Sequence, residues 1–252
     1  MADDARGRPI MMAGIAVASL VVVVAGFLLW RAIGGDDPAE VSLASLSPVV
    51  GEDAAPTADG TGETVAPPSF DGTWTIDAEA GTLEDGTSTF AGYRIVEELG
   101  GIGANTAVGR TQSVQGSMTI AGASVIGLTV TVDMASLRSD DDRRDSQLAS
   151  RGLETARFPT ASFELVEPIE VPSVPAEGES IAATAVGDLT LHGVTQRVEV
   201  PVDAQWTGEH IEVAASLEVA LADHDIEPPT GFLVLSIEDT GTVELHLLFR
   251  RG

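Results

Sequence analysis

Residues Gly187 to Val202 read GDLTLHGVTQRVEVPV, two runs of alternating apolar and polar residues that meet at His192-Gly193. Alternation with period two marks a strand that buries one face. Leu189 and Leu191 share a face in the first run, as do Val198, Val200 and Val202 in the second. So short a link leaves no room for a crossover, so the two runs pair antiparallel. His192 then sits at the corner of a hairpin, out of step with the inward-facing residues, and a turn or rim role fits it better than chemistry.

The same ladder recurs down the chain. Ile126, Leu128, Val130, Val132 and Met134 fall on one side, as do Ala161, Phe163 and Leu165, and then Ile181, Ala183 and Ala185 ahead of Leu189. The second run continues to Ala204 and Trp206; Ile211, Val213, Ala215, Leu217, Val219 and Leu221 follow, and Val243, Leu245, Leu247 and Phe249 close the chain. With residues 72–77, 88–96 and 110–120 the total is about eight or nine strands. Long antiparallel strands that each carry one apolar face must close into a barrel or stack as a sandwich.

One stretch breaks the pattern. In SDDDRRDSQLASRG, Ser139 reads as an N-cap with Asp142 three residues on, Arg151 lies in the last turn and Gly152 is the stop. This predicts a short helix that caps one end of the strand assembly. The Gly100-Gly101-Ile102-Gly103 segment carries no lysine and opens no helix, so it reads as a loop near the mouth rather than a phosphate cradle.

The chain of 252 residues carries a formal charge of −26, with only 13 Lys and Arg. Nucleic acid, held through its phosphates by basic side chains, is thereby excluded as a partner, and an anionic substrate is disfavoured. The acidic surface reads as solvation. There is no cysteine, hence no disulfide, thiolate metal site or cysteine nucleophile, and core packing alone must hold the fold.

Residues 10–33 read IMMAGIAVASLVVVVAGFLLWRAI, with Arg31 as the only charge. A helix of that length spans about 36 Å, enough for a hydrocarbon core of about 30 Å. A cleaved signal peptide would have a shorter apolar run and a small-x-small site, whereas Trp30 and Arg31 read as interfacial anchors. Arg6 and Arg8 in residues 1–9 favour a cytoplasmic tail, which puts the rest of the chain on the extracytoplasmic side of the cell membrane. Residues 34–69 are rich in Gly, Ala, Asp, Glu, Pro, Ser and Thr and read as a disordered linker. Residues 70–252 form the folded domain, large enough for a single core.

His192, His210, His224 and His246 are the four histidines, and no two have the spacing that would place them together on one strand or helix face. This argues against a metal site, which needs convergent ligands. No nucleophile elbow or phosphate loop is present, and Asp140, Asp141, Asp142 and Asp145 are explained by capping and solvation. No catalytic residue, metal or cofactor is assigned, and the domain is read as non-enzymatic.

From Gly72 to Phe249 the chain resembles the YceI family of lipocalin-like proteins. The resemblance rests on W-x-I-D at Trp74, Ile76 and Asp77, V-x-G at Val114 and Gly116, and RD-x-x-L at Arg144, Asp145 and Leu148. It also rests on FP-x-A-x-F from Phe158 to Phe163 and on GDLTLHGVT from Gly187 to Thr195. It implies an all-β fold, an eight-stranded antiparallel barrel with a short inserted helix, and a long hydrophobic cavity that binds polyisoprenoids or other long-chain amphiphiles. Ala80 and Gly81 stand where the family usually has a His-Ser pair, and ALADHDIE lacks a family arginine, so the resemblance does not extend to the head-group contacts.

An eight-stranded barrel is just wide enough to be filled by its own side chains or to hold one small ligand. Only 4% of residues are aromatic, and small inward positions such as Ala183, Ala185 and Ala215 leave room. The expected function is therefore a membrane-anchored, extracytoplasmic binding protein that holds a polyisoprenoid, an isoprenoid quinone or another lipid in the lumen. The expected lining is Tyr93, Phe158, Phe163, Leu165, Leu189, Leu191, Trp206 and Leu217. The alternative is a barrel packed solid, whose acidic outer face or homodimer interface recruits a protein partner.

Overall fold

The structure, a computed structural model, describes residues 38–41, 43, 69–84, 86–171, 175–229 and 234–252. The expected membrane span at 10–33 and nearly all of the linker lie outside the described residues. Among the described residues no helix is long and apolar enough to cross a membrane.

The strands are β1 (Gly72–Ile76), β2 (Phe90–Leu99), β3 (Gly103–Thr111), β4 (Val114–Ala121), β5 (Ser124–Asp133) and β6 (Thr160–Leu165). They continue as β7 (Ile169–Glu170), β8 (Ser180–Leu191), β9 (Val194–Trp206), β10 (Ile211–Ala220), β11 (Val234–Ile237) and β12 (Thr240–Arg251). Every strand pairing is antiparallel, and the order β1-β4-β5-β6-β8-β9-β10-β12 returns to β1 through the β1–β12 pair, which closes a barrel. The long β12 holds β1 at Phe249–Arg251 and β2 at Thr242–His246 on the same edge. Similarly β4 pairs with β1 and β3 with β2. Each of these two couples fills one wall position, so the barrel has eight.

This doubling corrects the expected single strand at 110–120. The chain changes partner from β2 to β1 there, and a tight bend at Gln112–Ser113 separates β3 from β4, with the Val114 amide donating to the Gln112 carbonyl at 2.8 Å. The β2–β3 hairpin continues past the barrel rim to its turn at Gly100–Ile102.

The ladders on β8, β9, β10 and β12 hold. In β5 the ladder does not extend to Ile126. The β4–β5 pairing steps from Thr119–Gly127 to Ile120–Val125, so Ile126 is the extra residue of a bulge and is 54% exposed, while Val125 packs inward.

The inserted helix α1 is Asp142–Gln147, followed by a wider turn at Leu148–Gly152. Its N-cap is Asp141 rather than Ser139: the Asp141 carboxylate accepts from the Arg143 and Arg144 amides. Ser139 instead donates its amide (3.0 Å) and hydroxyl (2.7 Å) to Asp145.

Two described residues of the expected linker are packed. The Ala39 carbonyl accepts from Arg110 Nη2 at 2.9 Å, and Leu43 is only 6% exposed.

Candidate functional site

The inner faces of the strands enclose two separate chambers. The larger, about 400 Å³, lies at the end where β5, β8 and β10 finish, and Val130, Val132, Ala161, Leu189, Leu191 and Val219 form its floor and sides. The smaller, about 120 Å³, lies at the other end and is lined by residues such as Met118, Leu128, Ile181, Ala183, Val213 and Phe249. Among the described residues no side chain borders both chambers.

Four elements cover the larger chamber. Asp141, Arg144 and Leu148 come from α1 and the turn after it, Leu99 and Ile102 from the β2–β3 tip, Ile226 and Pro229 from the segment after β10, and Val234 and Ile237 from β11. One buried ion pair ties α1 to the projecting hairpin. Glu97, on the inner face of β2, accepts from Arg144 Nη2 at 2.7 Å and from Asn105 Nδ2 at 2.9 Å. Burial works against the Arg144 charge, yet its hydrogen bonds to Glu97 and then Asp140 hold the guanidinium above its ordinary range.

His192 closes the opposite side of the rim. His192 and Gly193 both have positive φ, 51° and 77°, the backbone of a type I′ turn between β8 and β9. The imidazole is buried: Nδ1 lies 3.1 Å from the His224 carbonyl and Nε2 3.1 Å from Glu154 Oε2. His224 in turn places Nδ1 3.3 Å from the carbonyls of Leu191 and Val194. His192 therefore fastens the segment after α1 and the turn after β10 to the hairpin, the structural role that its position suggested. Among the described residues no group of three or more His, Cys, Asp or Glu converges as metal ligands would.

Of the eight residues expected to line the lumen, Tyr93, Phe163, Leu189 and Leu191 border the larger chamber. Trp206 borders the smaller, where it meets Phe70 at 5.3 Å and Trp74 at 5.7 Å edge to face. Leu165 and Leu217 pack between the chambers with Ala185, Val200 and Ala215. Phe158 lies outside both, its ring centroid 4.3 Å from that of His192. Burial pushes the Tyr93 hydroxyl up to about 12, with Arg144 opposing and Asp145 and Glu97 assisting, so it is a neutral phenol at physiological pH.

Sequence reasoning missed Glu97, because a glutamate on the inward face of β2 goes against the alternation and its partner Arg144 lies 47 residues on. It also misplaced the source of room. Ala183 and Ala185 line the smaller chamber and Ala215 packs between the two, while Ala91, Ala107 and Ala161 open the larger one.

No curated protein matches the chain in sequence. Among solved structures it is similar to a polyisoprenoid-binding domain from Saccharophagus degradans implicated in plant cell wall breakdown. The TM-score is 0.52 at 18% identity, over 71% of this chain and 98% of that one. It is also similar to BcnA of Burkholderia cenocepacia, with TM-score 0.51 at 17% identity, over 69% of this chain and 98% of that one. At such identities these likenesses show a shared fold. The model of the YceI-like domain matches residues 74–249, the span of the barrel from the Trp74 strand to Phe249 in β12, and the chain belongs to that family.

Proposed function

We propose that this protein is a non-catalytic binding protein that holds the apolar chain of a long amphiphile, a polyisoprenoid, an isoprenoid quinone or another lipid, in the larger chamber. The observation that carries this reading is the chamber itself. It measures about 400 Å³, is walled by Leu, Val, Ala and Met, and reaches the barrel end. Pockets for small molecules typically run from about 300 to 1,000 Å³ and are mostly apolar with few polar groups. The fold shared with a polyisoprenoid-binding domain is in keeping with it. In this reading the apolar run at 10–33 serves as a membrane anchor with the barrel on the extracytoplasmic side, which would keep it close to a supply of such ligands.

The test is to purify the full chain, extract it with organic solvent and identify what it carries by mass spectrometry. A long-chain amphiphile near one per barrel is the expected result. A barrel that comes up empty and takes up no isoprenoid quinone in titration overturns the reading in favour of a surface that recruits a protein partner.

A further inference from the structure

The lumen is divided, and the divider is built from identifiable residues. On β12, Leu245 borders the larger chamber and Leu247 the smaller; on β5, Val130 and Leu128 divide in the same way. Between them Phe163, Leu165 and Leu217 pack with Ala185, Val200 and Ala215 as one apolar layer. Phe163 is the largest side chain in that layer, and its ring position is held open by a glycine. A Cβ on Gly187 would stand 2.4 Å from Phe163 Cζ, so the ring lies over a spot on β8 where no other residue fits. Gly187 begins the GDLTLHGVT stretch, and turn geometry does not explain it, since it sits within β8 paired to Leu165.

Taking the chamber reading above as its basis, we propose that Phe163, seated on Gly187, sets the length of chain that this barrel accepts, by stopping the alkyl tail at the floor of the larger chamber. The scale follows from volumes. A dry apolar cavity of about 150 Å³ takes one benzene, or about 25 Å³ per carbon. The larger chamber at about 400 Å³ then holds about sixteen carbons, and the smaller at about 120 Å³ about five more. Carbons beyond the sixteenth remain at the mouth and add little.

The test is the affinity of the full chain for straight-chain alkanols from about C10 to C24, read by displacement of a fluorescent polyene. Up to about C16 each added methylene tightens binding by as much as about fourfold, after which the curve flattens. In Phe163→Ala the break moves out by at least about five carbons, the capacity of the smaller chamber, with up to about six more from the space of the lost ring, while the shorter alkanols bind as before or more weakly. Phe163→Leu, a milder truncation that keeps the layer apolar, moves it less and serves if the alanine variant does not fold. An affinity that climbs evenly through the whole wild-type series overturns the partition while leaving the lumen reading intact. A wild-type break that neither variant moves overturns the role of Phe163. Failure of every alkanol to bind the wild type instead overturns the chamber reading itself.

Discussion

Filling the larger chamber from its wall is expected to abolish binding without weakening the fold. Leu189 points into that chamber from β8, and Leu189→Trp adds about six heavy atoms, as many as one benzene, which needs a cavity of roughly 150 Å³. That takes more than a third of a space of about 400 Å³. It also displaces about six carbons of a bound chain, worth at most about 5 kcal/mol at about 0.8 kcal/mol per methylene, or between three and four orders of magnitude in Kd. The usual overpacking cost of about 1–3 kcal/mol applies where a side chain is forced into a filled layer, and here the indole enters a void. The assay is displacement of a fluorescent long-chain probe, paired with thermal melts with and without that probe. Ligand at about 100 times Kd stabilises a folded protein by about 2.7 kcal/mol, so the wild-type melt rises with probe and the variant's does not. A variant with wild-type stability and wild-type affinity refutes the assignment of the chamber.

Three further outcomes test the framework. Glu244 is 1% exposed and accepts from Arg94 and Arg110, each at 3.2 Å, so Glu244→Ala removes two charge-assisted bonds at a buried carboxylate and costs about 2–4 kcal/mol in urea denaturation; a loss under about 1 kcal/mol contradicts this. Burial pushes the Glu212 carboxyl up, but hydrogen bonds from His246 Nε2, at 2.9 Å, and Gln205 outweigh it and hold the group below its ordinary 4.5. The folded state therefore binds that proton less readily than the unfolded chain, and the stability it contributes is complete above pH 4.5 and lost as pH falls through the lower folded value. The difference between wild type and Glu212→Gln should be about 2 kcal/mol at neutral pH and shrink in acid, whereas a difference that stays flat with pH refutes the linkage. Gly193→Ala places a Cβ 2.5 Å from Phe158 Cε1 at a φ of 77°, which predicts a loss of about 1–3 kcal/mol by thermal melt; an unchanged melt shows that the turn and Phe158 relax freely.

Much of the barrel is legible in the chain because its strands are long and bury one face. Over the 12 residues of β8 and the 13 of β9 the alternation is sustained, and a single register puts Leu189 and Val200 inside together. Legibility fails where a strand changes partner or slips. Nothing around Gln112 and Ser113 announces that β3 belongs to β2 and β4 to β1, because that is a decision of β12, more than a hundred residues away. The bulge at Ile126 is marked only by the neighbouring Gly127, and an isoleucine there reads as one more rung of an inward ladder. The short β7 and β11 carry too few residues to show any period.

The site is less legible than the wall because alternation gives the side on which a residue lies but not its height. Leu128 and Val130 have the same parity on β5, yet one faces the smaller chamber and the other the larger; only the stagger of neighbouring strands separates them. Trp206, Leu165 and Leu189 are all inward on parity and occupy three different levels of the lumen. The polar groups at the mouth follow a second logic that alternation does not express. Glu97 is matched by Arg144 and Asn105, Asp145 by Ser139, and His192 by Glu154 and the His224 carbonyl, so these side chains are occupied in holding the cover to the rim. Tyr93 adds a neutral phenol. With these groups engaged in contacts within the chain, what the larger chamber offers a guest is chiefly apolar area and a fixed depth. On the proposed reading, affinity from such a wall scales with the number of carbons it covers, so the length of the chain, set where Phe163 lies on Gly187, is the property that this barrel would read.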